Sequence, residues 1–404
     1  MYEAPKAIVS LGDRCCGCGA CAAACPKSCI SMETDAWGFP RPNVDASECV
    51  DCGRCVSACP VLSSCHADKV CSVYWAKSKN DGELARSSSG GVFGLMASDV
   101  LASGGVVVGA AWKEDCHSVS HVVVDDASGL DAIMRSKYVQ STVPLGVYQG
   151  VRQAIKEGRR VLFSGTGCQV AGLRGYLGVY ADSDLLLTVD VVCHGVPSPV
   201  LWDRWATYRE ASSGARLADV NMRSKTTGWL SYSATYEYEA EKGSSPKVES
   251  SVFRDDWYFK AFLYNACLRP SCFTCPAKRA CGSDVTLGDF WGVQSAHPEV
   301  DYSGGVSAVI CNTEKGEAAL KAISNMLDSG KSTFEKVLAG NSSLISSVLP
   351  FVHYDEFMSD IAAGRGIPEL MRDYAFRPSL FQRIRSLLSR VKRKFTKLTS
   401  SCKR

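Results

Sequence analysis

The stretch CCGCGACAAACP (residues 15–26) and its counterpart CVDCGRCVSACP (residues 49–60) determine the fold at the start of this 404-residue chain. Each contains the pattern CxxCxxCxxxCP, and each cysteine of the second run lies 34 residues after its counterpart in the first. This spacing with its final proline is typical of ferredoxins that bind 4Fe-4S clusters, and its repetition predicts a two-cluster module. Paired zinc sites are the alternative, although zinc patterns require neither the third cysteine step nor the proline.

The repeat also predicts which cysteines bind which cluster. In two-cluster ferredoxins the fourth cysteine of each run ligates the other cluster. The two predicted ligand sets are Cys15, Cys18, Cys21 and Cys59 for one cluster, and Cys49, Cys52, Cys55 and Cys25 for the other. We assign residues 1–66 to this small ferredoxin-type domain.

Composition favours redox chemistry in a cytoplasmic protein. Hydrophobic residues make up 46% of the chain, charged residues 22%, and the mean hydropathy is −0.03. No apolar run reaches the roughly 18 residues of a transmembrane helix, and the N-terminus lacks a signal-peptide core. Twenty-one cysteines in such a chain indicate metal or redox sites rather than disulfides. Those that fit no ligand spacing are interpreted as small buried residues or surface thiols: Cys16, Cys29, Cys65, Cys71, Cys116, Cys311 and Cys402.

After residue 66 the pattern changes to alternating strands and helices, which predicts an α/β domain over residues 67–345. Ligands usually bind in the loops that follow strands in such domains. RSSSGG (residues 86–91) leads directly into an apolar helix, so its backbone N–H groups could receive a pyrophosphate or the edge of a flavin. An ordinary serine cap is the alternative.

Two further loops carry reactive side chains. Cys168 lies in FSGTGCQ (residues 163–169) at the start of a predicted helix, where the helix dipole would lower its pKa. It is a candidate nucleophile, iron ligand or packing residue. Cys193 and His194 follow the next strand, and His194 could donate a proton to a substrate or have a structural role.

A third group of cysteines lies late in the domain. Its irregular spacing is workable for a third iron-sulfur cluster, and zinc or reduced thiols remain open. The members are Cys267, Cys272, Cys275 and Cys281.

The C-terminal segment, residues 346–404, is predicted to be helical with a basic amphipathic tail. Residues 379–404 contain nine Lys or Arg and no acidic residue, while apolar residues recur every three or four positions. Such a helix suits the anionic inner face of a membrane or an acidic partner. A packed terminal helix is the alternative, and no nucleic-acid partner is expected.

Six motifs occur in the same order as in one known family. They are RSSSGGVF, SKYVQS, FSGTGCQVAGL, VVCHGVPSP, LRPSCFTC and DVTLGDFWG. With these motifs and the ferredoxin module in front, the chain resembles bacterial members of the coenzyme F-420 hydrogenase/dehydrogenase beta-subunit family. The expected fold is α+β or α/β: a two-cluster ferredoxin-like domain, a larger α/β flavin-binding domain and C-terminal helices.

The resemblance implies that FAD is bound in addition to the clusters. It places Ser88, Ser89, Gly90, Gly91 and Lys137 near the flavin, and Gly165, Thr166, Cys168 and Gln169 in the same cavity, with Cys193 and His194 facing it. Gly167 stands where the family usually has proline, which leaves the shape of that loop open.

The predicted function is an iron-sulfur flavoprotein oxidoreductase. It would pass electrons between a ferredoxin or similar redox partner, two 4Fe-4S clusters and FAD to reduce or oxidise a small organic substrate. Fused relatives suggest surface polysaccharide metabolism as its setting. The alternatives are a non-catalytic electron-transfer subunit of a larger redox complex and a membrane-associated scaffold.

Overall fold

The structure, a computed structural model, describes residues 4–63, 68–240, 243 and 245–376. This part of the chain contains thirteen strands and fifteen α-helices. The strands are β1 (Ile30–Thr34), β2 (Pro40–Val44), β3 (Ser72–Ser78), β4 (Val106–Trp112), β5 (Val119–Val124), β6 (Val161–Thr166), β7 (Leu186–Val191), β8 (Leu217–Ser224), β9 (Ser233–Tyr238), β10 (Val248–Val252), β11 (Val285–Asp289), β12 (Ser307–Cys311) and β13 (Leu327–Lys331). The helices are α1 (Ala4–Val9), α2 (Ala20–Ala24), α3 (Arg54–Ser57), α4 (Asp81–Arg86), α5 (Val92–Ala102), α6 (Leu130–Ile133), α7 (Leu145–Lys156), α8 (Gly167–Leu177), α9 (Pro199–Ser213), α10 (Trp257–Leu263), α11 (Val293–Ala296), α12 (Glu314–Ala322), α13 (Phe334–Leu338), α14 (Tyr354–Ala362) and α15 (Ile367–Asp373).

The ferredoxin module repeats one local structure. In each cysteine run a short helix, α2 or α3, begins after a glycine, Gly19 or Gly53, with φ of 81° or 71°. Glycine adopts this left-handed conformation without the steric cost that a Cβ brings. The antiparallel pair β1–β2 separates the two runs. The repeat in the sequence is therefore also a repeat in the backbone.

The body is built on one mixed sheet of eight strands in the order β13-β3-β12-β11-β7-β6-β4-β5. Strands β4, β6, β7 and β11 are parallel to one another, and the strands outside them pair antiparallel. Their interiors are runs of valine and leucine, as expected for parallel strands buried on both faces. The predicted α/β domain is confirmed.

The ferredoxin module packs on one face of this sheet. Ala20 and Ala58 share a buried cluster with residues of α7 and α8, among them Leu173. The Tyr148 hydroxyl donates a 2.6 Å hydrogen bond to the Cys18 carbonyl oxygen. The module and the body are thus joined by a continuous core.

A second antiparallel sheet, β10-β9-β8, packs with α9, α10, α14 and α15 around an aromatic core that includes Trp202, Trp205 and Trp257. Helices α14 and α15 are the described part of the predicted helical C-terminus. The basic tail, residues 379–404, lies outside the described residues, as do Cys65 and Cys402. Among the helices that the structure describes, none combines the length and apolar character needed to cross a membrane.

Candidate functional site

A large cavity lies at one edge of the eight-stranded sheet. Strands β6, β7 and β11 are parallel neighbours, so their carboxyl ends meet at the same edge. The loops after these strands, together with the segment before α5, enclose a cavity of about 560 Å³. This volume lies within the range of roughly 300–1,000 Å³ that is usual for sites that bind cofactors or small molecules.

Nearly all of the residues predicted to contact the flavin line this cavity. They are Ser88, Ser89, Gly91, Lys137, Gly165, Thr166 and Gln169. Two of the predicted residues do not line it. Cys168 lines a neighbouring cavity instead. The Gly90 N–H donates to Ser307 Oγ at 2.9 Å, and its carbonyl accepts from the Ser78 N–H. A Cβ on Gly90 would lie 2.2 Å from the Ala76 carbonyl oxygen. Gly90 therefore lets this segment approach the sheet, and its N–H is not available to a ligand.

The loop between β6 and α8 is held by a capping box. The Thr166 N–H donates to Gln169 Oε1 at 2.9 Å, while Gln169 Nε2 donates to Ser141 Oγ at 2.9 Å. Gly167 is the first residue of α8, a position where proline is also well tolerated. The replacement of the family's usual proline by Gly167 is therefore compatible with an ordinary helix start.

An ion pair that the sequence analysis missed forms another wall of the cavity. Arg223 donates to Asp289 Oδ1 at 2.9 Å, and its guanidinium lies 3.9 Å from the centre of the Tyr232 ring. Trp229 Nε1 donates to the same carboxylate at 2.7 Å. Arg223 lies in none of the six motifs, so the sequence did not indicate it. Asp289 lies in the motif DVTLGDFWG, which could have pointed to this ion pair.

Two buried polar groups in this cavity have unused hydrogen-bonding capacity. His121 Nε2 lies 3.0 Å from the Ser164 carbonyl oxygen and must donate to it, so Nδ1 is left as an acceptor without a partner. Burial lowers the pKa of His121 to about 4, which keeps the ring neutral. Arg223 Nε is likewise unpaired. Both nitrogens have almost no accessible surface, so they lie behind the cavity wall. A flavin, which has donor and acceptor groups, fits the size of this cavity and its mixed polar and apolar lining.

Lys137 lines this cavity, and its surroundings favour the neutral form of its side chain. Its ammonium donates to the Met134 carbonyl oxygen at 2.6 Å. Burial, assisted by the nearby charge of Arg135, lowers the pKa of Lys137 to about 7. An anionic group bound beside it would restore the charged form.

The ferredoxin-type cysteines form two groups around two small voids. The outer group is Cys25, Cys49, Cys52 and Cys55, and the inner group is Cys15, Cys18, Cys21 and Cys59. The structure thus brings together the two predicted sets, including the exchanged fourth cysteine of each run. Cys52 of the outer group is exposed, whereas all four inner cysteines are buried.

Two cysteines that were interpreted as ordinary thiols lie beside these groups. Cys29 lines the outer void with its sulfur 3.4 Å from that of Cys25, and Cys16 lines the inner void. Both are buried, as expected, but their position next to predicted ligands was not anticipated. The CxxCxxCxxxCP pattern could not identify Cys16 and Cys29 as neighbours of the clusters, because neither occupies one of its cysteine positions.

The cysteine geometry fits iron-sulfur clusters. Each of the two voids is surrounded by the four cysteines that the spacing rule assigns to one cluster. Burial, with the neighbouring Cys15 and Cys59, raises the pKa of Cys21 to about 12. Iron bound in the void would supply the positive charge that thiolate ligands need.

A fourth cavity, which we call the central cavity, contains cysteines from four separate segments. Cys168, Cys193, Cys272 and Cys275 line it, and Cys16 reaches it from the ferredoxin module. The predicted set of Cys267, Cys272, Cys275 and Cys281 is therefore not the one that the structure assembles. Cys267 is fully buried in the aromatic core. Cys281 packs in one cluster with Cys168 and Cys275 but does not line the cavity, and its sulfur lies 3.6 Å from Asp68 Oδ2.

The sequence predicted that the helix dipole lowers the pKa of Cys168, and this prediction is wrong. A hydrogen bond to Cys16 and burial raise the pKa of Cys168 well above the usual value for a thiol. Thr166 Oγ1, 3.2 Å from the Cys168 sulfur, acts in the opposite direction without reversing the shift. The start of α8 alone does not make this thiol acidic.

Each of the four sites adjoins the next. Cys16 lines both the inner void and the central cavity. Cys193 and His194 line both the central cavity and the large cavity. The inner group also shares one packed module with the outer group. The arrangement can therefore hold redox centres between an exposed cysteine group and a ligand cavity.

Family models of known proteins match both parts of the chain. Residues 158–336 match the family model for the C-terminal part of the coenzyme F420 hydrogenase/dehydrogenase beta subunit, and residues 14–62 match a 4Fe-4S dicluster domain. No curated protein matches the chain. Among solved structures, a chain of the xenon-derivatised F420-reducing [NiFe] hydrogenase complex from Methanosarcina barkeri is 15% identical with a TM-score of 0.44. That match covers 74% of this chain and 90% of the other.

Proposed function

We propose that the protein is an FAD-dependent iron-sulfur oxidoreductase, because residues 158–336 match the C-terminal part of the coenzyme F420 hydrogenase/dehydrogenase beta subunit and residues 14–62 match a 4Fe-4S dicluster domain. It exchanges electrons with an external redox partner at the outer group and with a small organic substrate in the large cavity. This proposal rests on one observation: the inner void shares lining residues with the central cavity, and the central cavity shares lining residues with the large cavity.

The ligand sets follow from the cysteine groups. The inner and outer groups hold one 4Fe-4S cluster each, and Cys168, Cys193, Cys272 and Cys275 hold a third in the central cavity. When bound, the clusters carry single electrons and the flavin couples them to two-electron chemistry. The chain's own contribution is to hold these groups close together and away from solvent.

The residues of the large cavity bind and orient the flavin and the substrate. Lys137 supplies a cation for an anionic group, and His121 and Arg223 belong to the polar part of the cavity wall. His194 lies where the large and central cavities meet and serves proton transfer. A substrate from surface polysaccharide metabolism and a cytoplasmic location stay predictions from the sequence.

Elemental and flavin analysis after anaerobic purification tests this proposal. We expect about twelve iron atoms per chain from three 4Fe-4S clusters, with one FAD. About eight iron atoms would remove the central cluster from the proposal. Absence of flavin after anaerobic reconstitution would overturn the enzymatic function and leave an electron carrier.

A further inference from the structure

Arg269 is a fully buried cation at the junction between the ferredoxin module and the body. None of its surface is exposed, and its hydrogen bonds go to neutral oxygens. Nε donates to the Cys15 carbonyl at 2.6 Å, and one terminal nitrogen donates to the Pro40 carbonyl at 2.8 Å. The other donates to Gln140 Oε1 at 3.0 Å. The guanidinium therefore ties two parts of the chain together without neutralising its charge.

No carboxylate in the described part of the chain forms an ion pair with Arg269. Buried arginines are usually paired with a carboxylate. Arg223, which is almost as buried as Arg269, forms such an ion pair with Asp289 at 2.9 Å. A buried charge without a counter-charge is costly, and the Phe39 ring, 5.3 Å from the guanidinium, offsets only part of this cost. The position of Arg269 thus calls for a negative group that the side chains do not supply.

The nearest candidates for that negative group are the inner and central cysteine groups. Arg269 donates to the backbone of Cys15 in the inner group, and it lines the central cavity together with Cys16 and Cys168. Lys278 stands on another wall of the same cavity and donates to the backbone carbonyls of Cys193 and Ser343. Lys278 also lacks a carboxylate partner within the residues described.

We propose that Arg269 and Lys278 are built-in counter-charges for the clusters of the inner and central groups and raise their reduction potentials. The inference rests on the cluster sites of the proposed function. A cluster held by four thiolates is anionic and gains a further negative charge on reduction, so an adjacent buried cation stabilises the reduced form. At the outer void, by contrast, solvent screens the exposed Lys27 that lines it. Electrons that enter at the outer group are therefore drawn inward.

Potentiometric titration followed by electron paramagnetic resonance tests the role of Arg269 in the reconstituted full-length protein. In Arg269→Gln we expect the potential of the inner cluster to fall while that of the outer cluster stays unchanged. Arg269→Lys keeps the charge but loses the planar donor fork, so its inner potential should remain close to that of the wild type. Arg160→Gln, at a partly exposed arginine paired with Asp99, removes the same charge and should shift neither potential.

Two results would overturn the proposal for Arg269. One is an unchanged inner potential in Arg269→Gln, and the other is an equal fall in Arg269→Lys, which would indicate a purely structural role. If Arg269→Gln does not retain iron, Lys278→Gln tests the same principle, with a lower potential of the central cluster expected and an unchanged one contradicting it. A wild-type protein with about eight iron atoms would refute the central cluster and the role of Lys278 but leave the effect of Arg269 on the inner cluster measurable.

Discussion

A hydrogen-bonded chain of three residues determines the protonation of His194. Asn265 adopts a left-handed conformation with φ of 63°, which asparagine tolerates better than most residues. Its Nδ2 donates to the Leu349 carbonyl oxygen at 2.7 Å, so its Oδ1 faces His194 Nε2 at 2.6 Å and must accept. His194 therefore carries its proton on Nε2 and has its free electron pair on Nδ1.

The charge state of His194 follows from its surroundings. Burial lowers the pKa of His194 and the positive charge of Lys278 lowers it further, while the bond to Asn265 opposes them. The ring is thus neutral at neutral pH. It is better suited to accept a proton at Nδ1 than to donate one, which changes the role that the sequence suggested.

Asn265→Asp should move the titration of His194 to higher pH. A carboxylate in place of the amide stabilises the imidazolium and raises its pKa, so the loss of activity on acidification should begin at a higher pH than in the wild type. The pH profile of turnover by chemically reduced protein and nuclear magnetic resonance of labelled histidine measure this shift. Asn265→Gly tolerates the same backbone conformation without adding a charge and should show no upward shift. Identical profiles for Asn265→Asp and the wild type would contradict the proposed geometry.

At the scale of elements, α8 sets the distance between the inner and central groups. It carries Cys168 in its first turn, and two glycines further along face the ferredoxin module. A Cβ on Gly172 would lie 2.8 Å from the Cys18 sulfur, and one on Gly175 would lie 2.5 Å from the Ala58 carbonyl oxygen. These glycines allow the helix to approach the module more closely than any other residue would.

Gly175→Ala should weaken the packing of the module against the body. The Ala58 backbone cannot yield as a flexible side chain would, so we expect a net loss of about 1–3 kcal/mol in the free energy of unfolding despite the better helix propensity of alanine. Chemical denaturation of the protein gives this value. Gly150→Ala within α7 is a matched control, because its Cβ would make an ordinary 3.6 Å contact with Val123, and it should be neutral or stabilising. Equal stabilities of the two variants would show that the contact at Gly175 is not limiting.

At the scale of the whole molecule, burial orders the redox sites from the surface inward. Cys52 in the outer group is exposed, the inner group is buried, and the central cavity connects to the large cavity through Cys193 and His194. Under the proposed function, the outer group is therefore the entrance for an external redox partner, and the large cavity lies at the other end of this series of sites.

Cys52→Ser should remove the outer cluster and so prevent electrons from an external donor from reaching the flavin. We expect a loss of about four iron atoms with the flavin content unchanged, because the large cavity is formed by other segments. Reduction of the flavin by a ferredoxin donor should fall to the rate without donor, while a small chemical reductant should still act directly. Cys71→Ser, at an exposed cysteine outside the three groups, is the control. Unchanged iron content in Cys52→Ser would remove this residue from the ligand set.

The sequence by itself determined the features that depend on local spacing. The repeated CxxCxxCxxxCP predicted the ferredoxin module and both four-cysteine groups, and the alternation of strands and helices predicted the α/β body. Such patterns are readable because neighbouring residues must turn around one cluster or share one face of one strand.

Only the tertiary structure decided which cysteines share the central cavity. Cys168 and Cys193 follow the parallel strands β6 and β7, whose adjacent carboxyl ends bring them beside Cys272 and Cys275. Cys267, although near the last two in sequence, is buried in the aromatic core instead. The buried charge of Arg269 likewise gains its significance from Cys15, which is 254 residues away along the chain. Sequence spacing cannot predict such neighbours, because strand pairing and the packing of separate segments bring them together.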